Sequence, residues 1–266
     1  MLFRNIILTA LFSAVISGVL LGAMQSFATT PIIYSAEEYE VAEVPVAMGV
    51  ATETAMHSHS DNAAAHSHSH GSDDWEPANK QQRTAYTFLT AVLIAFGHSL
   101  LLTSFMALVF LKLDRPEISW KSGTVVGLGG YLSFYLATAV GLPPEVPGTL
   151  AADLTERQTW WVLTVIAMII GLSVLYLASI PFKIVGLVLV ALPHIIGAPH
   201  PEISGFLSQD AAAVTALSNL AHQFFVSTAW VNLVYWLVLG TVSGYFAKKY
   251  LQLGGRDFSM RNASYP

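Results

Sequence analysis

Long apolar runs alternate with short polar breaks along most of this 266-residue chain. The first run covers residues 5–25 and matches the roughly 20 residues that a helix needs to cross a bilayer. Further runs cover residues 85–111, 123–142, 159–180 and 222–247. Another, at residues 184–199, is only about 16 residues long, so it either spans a locally thinned bilayer or re-enters on one side. The pattern predicts an all-α, polytopic membrane bundle of about six helices, the fifth of them short and broken by proline.

One segment breaks the pattern. Residues 29–84 open with Glu37, Glu38, Glu40 and Glu43 and continue through the runs HSHS and HSHSH, which carry His57, His59, His66, His68 and His70. It is lower in apolar residues than the runs and rich in Ala, Ser and His, so much of it reads as a flexible outer linker. Alternation of His with Ser puts the imidazoles on one side of an extended chain, and imidazole binds cobalt, nickel, copper and zinc. The plainer reading is a solvated connector with incidental metal affinity. The chain thus divides into an N-terminal anchor (residues 1–28), this linker (29–84), a helical bundle (85–247) and a basic tail (248–266). A cleavable signal peptide is the alternative for the first segment, since Ser26, Phe27 and Ala28 resemble a small-x-small cleavage site.

Composition supports the membrane reading: 54% of residues are hydrophobic and 11% charged. There is no cysteine, which removes disulfides and thiolate metal sites. No basic stretch suggests nucleic acid and no phosphate-binding loop is present. The basic residues sort by side. With six spans and the N-terminus inside, only Lys80, Arg83 and Arg157 face out, as the positive-inside rule requires. Both termini are then cytoplasmic. The same topology leaves only Asp114, Glu117 and Asp257 among the acids inside, and so an outer surface that attracts divalent cations.

The candidate chemistry centres on residues 192–202, LPHIIGAPHPE. Pro193 removes a helical hydrogen bond and frees the Leu189 carbonyl, which in lipid must find another partner. His194 follows at once, and His200 and Glu202 lie just beyond. His222 opens the last apolar run, Glu145 lies in the Pro-rich loop 143–148, and His98 sits deep in the second span. These six residues are the candidate metal ligands: an outer mouth of His194, His200, His222, Glu202 and Glu145, with His98 as an inner station. Ionisable groups at membrane depth are functional candidates by default. The plain alternatives are a kinked helix end, ordinary loop residues and, for His98, a buried histidine bonded to a neighbouring helix. Packing motifs are also visible. Gly18/Gly22, Gly123/Gly127 and Gly240/Gly244 fit small-xxx-small spacing, which lets membrane helices approach closely. Thr228, Asn232, Trp236 and Gly240 make a stripe expected to face other helices, with Asn232 in a structural hydrogen bond.

The segments TPIIYSAEEYE, RTAYTFL, GLPPEVPG, ERQTWW, ALPHIIGAPHPE, AHQFFV and SGYFAKK together resemble the CbtA family of predicted cobalt transporter subunits over nearly the full length. The resemblance implies a bacterial inner-membrane protein that is not an enzyme and imports cobalt(II) for cobalamin synthesis. It implies a small single-span partner, CbtB, and no tightly bound cofactor. Association with further copies of the chain stays open. The family is usually described with five spans, against six counted here. A nickel transporter is the nearest rival, because simple nitrogen and oxygen sites favour nickel over cobalt. A non-transporting metal-binding scaffold or sensor is the second. An intramembrane enzyme lacks any accompanying motif.

Overall fold

A computed structural model describes residues 2–41, 77–112 and 118–253. Among these the chain is helical, with a single isolated β-bridge between Thr149 and Phe206. Five spans are long and apolar enough to cross a membrane. They are α1 (Leu2–Ala28), α3 (Lys80–Met106), the pair α4 (Trp120–Tyr131) and α5 (Ala137–Gly141), α6 (Leu154–Leu177) and α8 (Ala211–Ala247). Two shorter helices are α2 (Thr30–Val41) and α7 (Ile180–Ile196). Wider π-helical turns extend α3 (Ala107–Lys112) and α8 (Lys248–Leu253) and join α4 to α5 (Leu132–Leu136).

Helices in lipid gain nothing from hiding apolar surface from water, so close contact must hold them together. The glycine motifs supply it. Gly123 and Gly127 of α4 lie against Gly244 and Gly240 of α8, and a Cβ at any of these four would strike backbone of the opposite helix. Gly130 extends the seam by accepting the ring of Trp236. On the other side of the core α1 runs antiparallel to α3, with Gly18 against the backbone of Val92 and Gly22 against the ring of Phe88. Trp236, Tyr235, Met106 and Leu239 are the large side chains fully enclosed between these helices. The helix read as an anchor or a cleavable signal is therefore a wall of the core. On the α8 stripe Thr228 bonds the Tyr135 hydroxyl at 2.9 Å, and Trp236 and Gly240 lie against α4, whereas Asn232 donates within its own helix, to the Thr228 carbonyl at 2.9 Å.

The α6–α7 hairpin packs on the flank, with Gly171 and Gly186 in close apposition. The return between them lies at Ala178 and Ser179, and Pro181 sits in the first turn of α7 where a missing N–H is harmless. At its far end α7 reaches the start of α6: Trp160 Nε1 donates to the Pro193 carbonyl at 3.3 Å, and Gly141 lies against Trp160 and Ala198. A helix that begins beside the end of α6 and finishes beside its start traverses the bundle instead of re-entering. Its 17 residues cover about 25 Å at 1.5 Å each, slightly under the roughly 30 Å hydrocarbon layer.

The last helix is the opposite case. Asp210 caps it, its side chain accepting from Ala213 N at 3.0 Å, and α8 then runs for 37 residues. That is about 55 Å, far more than a bilayer needs. The excess projects at the end of the bundle that carries residues 142–153 and 197–210. There Leu217, Leu220, Ala221 and Phe224 pack against Ile32, Ala36 and Tyr39 of α2 and against Val146 and Phe206. The expectation of a linker from residue 29 to 84 is corrected at both ends: residues 30–41 form a docked helix, and α3 starts at Lys80. The histidines at 57, 59, 66, 68 and 70 lie outside the described residues.

One acid of that segment is bound to α3. Glu37 accepts from both terminal nitrogens of Arg83, at 2.5 and 3.2 Å, and the Arg83 guanidinium lies 4.6 Å from the ring centroid of Tyr34. Residues 42–76 therefore connect two points that are clasped side by side. Both partners are partly exposed, so the pair contributes on the order of 1 kcal/mol or less. Glu37→Gln should speed amide hydrogen exchange across residues 30–41 by about fivefold or less, with global stability unchanged. Unchanged exchange there would show that the apolar contacts hold α2 by themselves.

Candidate functional site

His98 faces the α4–α8 side of α3. Its Nδ1 lies 3.0 Å from the Tyr235 hydroxyl, and its ring centroid is 4.5 Å from that of Trp236 and 5.0 Å from that of Phe134. The π-helical turn at Leu132–Leu136 places Phe134 on His98 and Trp236 while the adjacent Tyr135 reaches Thr228. In the tautomer that carries its proton on Nδ1 and donates it to Tyr235 Oη, the imidazole keeps a lone pair on Nε2; in the other, Tyr235 Oη donates to Nδ1. Histidines that bind metals are commonly oriented in this way through their other nitrogen.

The remaining candidates all lie at the end where α8 projects. His194 is exposed on the last turn of α7, its ring edge-on to Trp160 at 6.3 Å. His200 and Glu202 are exposed on the connection 197–210. His222 is exposed on α8. Glu145 is bound to Arg157 at 2.6 Å, which satisfies its charge. Among the described residues no three His, Asp or Glu side chains gather closely enough to share a cation. The convergence of His194, His200, His222 and Glu202, with Glu145 joining, is therefore not present as a ready-made cage. Two physical causes are visible. The helix carrying His222 starts eleven residues earlier than the apolar run, since Asp210 caps it and Ala211–Ala213 are strong helix formers. The connection bearing His200 and Glu202 is tied instead to the Pro-rich loop, through Leu150 N to Gly205 O at 2.9 Å and Leu207 N to Gly148 O at 2.8 Å.

Sequence reading missed a carboxylate at this end. Glu156 lines an open groove with Thr155, Thr159, Trp160, Gly197 and Pro199, directly before His200. It also missed Tyr235, whose role depends on a contact between helices and leaves no local signal. Ser99 and Thr103, one turn apart on α3, are both fully buried, and Ser99 Oγ lies 3.0 Å from Ser243 Oγ of α8.

The comparison with known families is decisive at the level of the whole chain. The family described as probable cobalt transporter subunit (CbtA) matches residues 3–248. This chain belongs to the CbtA family. No curated protein and no solved structure matches it. The CbtA match covers every spanning helix, including α1, and extends through the first residue of the π-helical turn after α8. It includes α2, so the docked helix and its clasp lie within the CbtA region. The family description is that of a probable cobalt transporter subunit.

Proposed function

We propose that this CbtA-family chain is the membrane-spanning subunit of a cobalt(II) uptake system that supplies cobalamin synthesis in a bacterial inner membrane. The observation that carries this reading is the family match over residues 3–248 on a chain with five spans and a shorter apolar helix. Both termini face the cytoplasm and the projecting end of α8 faces out. Charge supports this orientation, because Lys121 and Lys183 lie at one end of the bundle while Glu145, Glu156 and Glu202 lie at the other. A small single-span membrane protein of the CbtB type completes the transporter. Residues 1–28 act as a retained anchor, and residues 248–266 form a cytoplasmic basic tail.

Cobalt is first held loosely by the histidines of the linker, whose two ends are brought together by Glu37 and Arg83 at the outer face. It reaches the bundle at His194, His200, Glu202 and His222, which act as separate weak stations. Transport favours weak serial sites over one tight cage, and the dispersed arrangement of these residues suits that requirement. His98 Nε2 is the inner station. Glu145 is the least suited of the candidates, since Arg157 already holds it.

The test is accumulation of cobalt and nickel in cells lacking their own importers, with this chain expressed alone and with a CbtB-like partner. Cobalt is expected above background, reduced by His194→Ala. Removal of residues 57–70 is expected to weaken uptake only when cobalt is scarce. Absence of flux of either metal, with the protein present in the membrane, would instead leave a metal-binding scaffold.

A further inference from the structure

Hydroxyl side chains on these helices usually bond back to the carbonyl one turn earlier. Ser26, Thr84, Thr124, Ser173 and Thr241 all do so, at 2.6–2.9 Å. Thr9, Ser13 and Ser17 of α1 and Thr103 of α3 do not. Each is 0% exposed, and none of their oxygens has a hydrogen-bond partner among the described residues. Thr164 of α6 is the one other such group, and it lies elsewhere in the bundle.

The four unpaired oxygens belong to one seam. Gly18 opposite Val92 and Gly22 opposite Phe88 set the register of α1 on α3 and put Thr9 near the level of Thr103 and Ser13 near that of Ser99. The bond from Asn5 Nδ2 to the Tyr250 carbonyl and the stacking of Phe12 on Phe246 set the register of α1 on α8 and put Ser13 near Ser243. Ser99 and Ser243 share a bond at that level. Thr9, Ser13 and Ser17 recur every fourth residue and span about 12 Å along the membrane normal.

A buried polar atom without a partner is costly, and more so in lipid, where bulk water is absent. Such atoms in native proteins point to an ordered water or an ion. A water needs two to four polar partners, and this seam offers them in successive layers. No Asp or Glu occurs in α1 or at residues 80–106, so nothing on these two helices balances a resting cation. We infer that the seam between α1, α3 and α8 holds a file of bound water molecules about 12 Å long, and that this file is one stretch of the hydrated track through the subunit. Its middle layer lies at the depth of His98, on the adjoining flank of α3. Granted the transport reading above, a divalent cation that keeps part of its water shell travels beside these hydroxyls to the level of that imidazole.

The test uses the full chain in liposomes. X-ray pulses generate hydroxyl radicals from bound water, and methionine beside that water is converted to its sulfoxide. Met106, 0% exposed and one turn beyond Thr103, is the reporter. It should be labelled in the wild type and lose that label in the triple variant Thr9→Ala, Ser13→Ala, Ser17→Ala. The triple variant should also lose cobalt uptake to background while the protein stays folded in the membrane. The single variant Ser13→Ala gives the same readouts if the triple variant does not fold. An unlabelled Met106 in the wild type would overturn the inference, and so would full cobalt uptake by a folded triple variant. Labelling in a wild type that moves no cobalt would support the water file and overturn the transport reading.

Discussion

Gly240→Val should remove the folded, monodisperse protein from detergent extracts, whereas Gly129→Val should leave it near the wild-type level. The two positions have the same residue type and both sit in spanning helices, but their surroundings differ. A Cβ at Gly240 meets the carbonyl of Gly123 and the backbone of Gly127, while a Cβ at Gly129 meets nothing within 4 Å. Side chains that are too large in a packed core typically cost about 1–3 kcal/mol, and that range assumes that neighbours can rotate away. Here the neighbours are backbone atoms of α4, so the helices themselves must separate, and a loss of about 3 kcal/mol or more is expected. Separation also pulls Trp236 away from Gly130, against which its ring is seated, and so opens the wall behind His98. Size-exclusion profiles and thermal unfolding of the two variants read this directly. A sharp, wild-type peak for Gly240→Val would mean that α4 and α8 do not rely on this seam.

The pattern of residues disclosed some of this architecture and concealed the rest for physical reasons. The glycine pairs at 123/127 and 240/244 were legible because close helix approach in lipid has few other solutions. Their mutual pairing was not, since spacing says what a face can do and not which face it meets. Helix α2 was hidden by its acids. Ile32, Ala36 and Tyr39 do recur at helical spacing, and they are among the residues that pack on α8. Yet four glutamates in the same stretch and the following His-Ser runs gave the segment the composition of a linker. The projecting start of α8 was missed because Ala211–Ala213 and Ser218 are weakly apolar, and a search for membrane-length runs passes over a helix that leaves the membrane. The candidate ligands of the outer mouth show the sharpest limit. Their residue types and their common end of the bundle were readable, but distances among loops depend on tertiary ties such as Leu150 to Gly205, which no periodicity encodes. The spacing of Thr9, Ser13 and Ser17 was in plain view, but only the packed structure separates these hydroxyls from the many that bond to their own helix.

The position of His98 in that packing sets the other large effect. His98→Phe should bring cobalt uptake to background while the protein stays folded. Phenylalanine preserves a ring among Phe134, Tyr235 and Trp236, so the aromatic contacts survive, but it has no nitrogen for a metal. It also strips the Tyr235 hydroxyl of its partner, and an unsatisfied buried group costs about 1–3 kcal/mol. Stability alone would therefore give an ambiguous answer, and Tyr235→Phe resolves it. That change breaks the same hydrogen bond from the other side, with a comparable loss of stability, but it leaves the imidazole in place. If His98 is a station for cobalt, Tyr235 only orients it, and loss of such an orienting partner typically weakens metal affinity by about 10- to 100-fold. Uptake by Tyr235→Phe should then return when external cobalt is raised, while that of His98→Phe should not. If His98 is a structural histidine, the two variants should transport alike, in proportion to the amount of folded protein. Measured uptake across a cobalt titration, normalised to protein in the membrane, separates these cases, and wild-type transport by His98→Phe would remove His98 from the route.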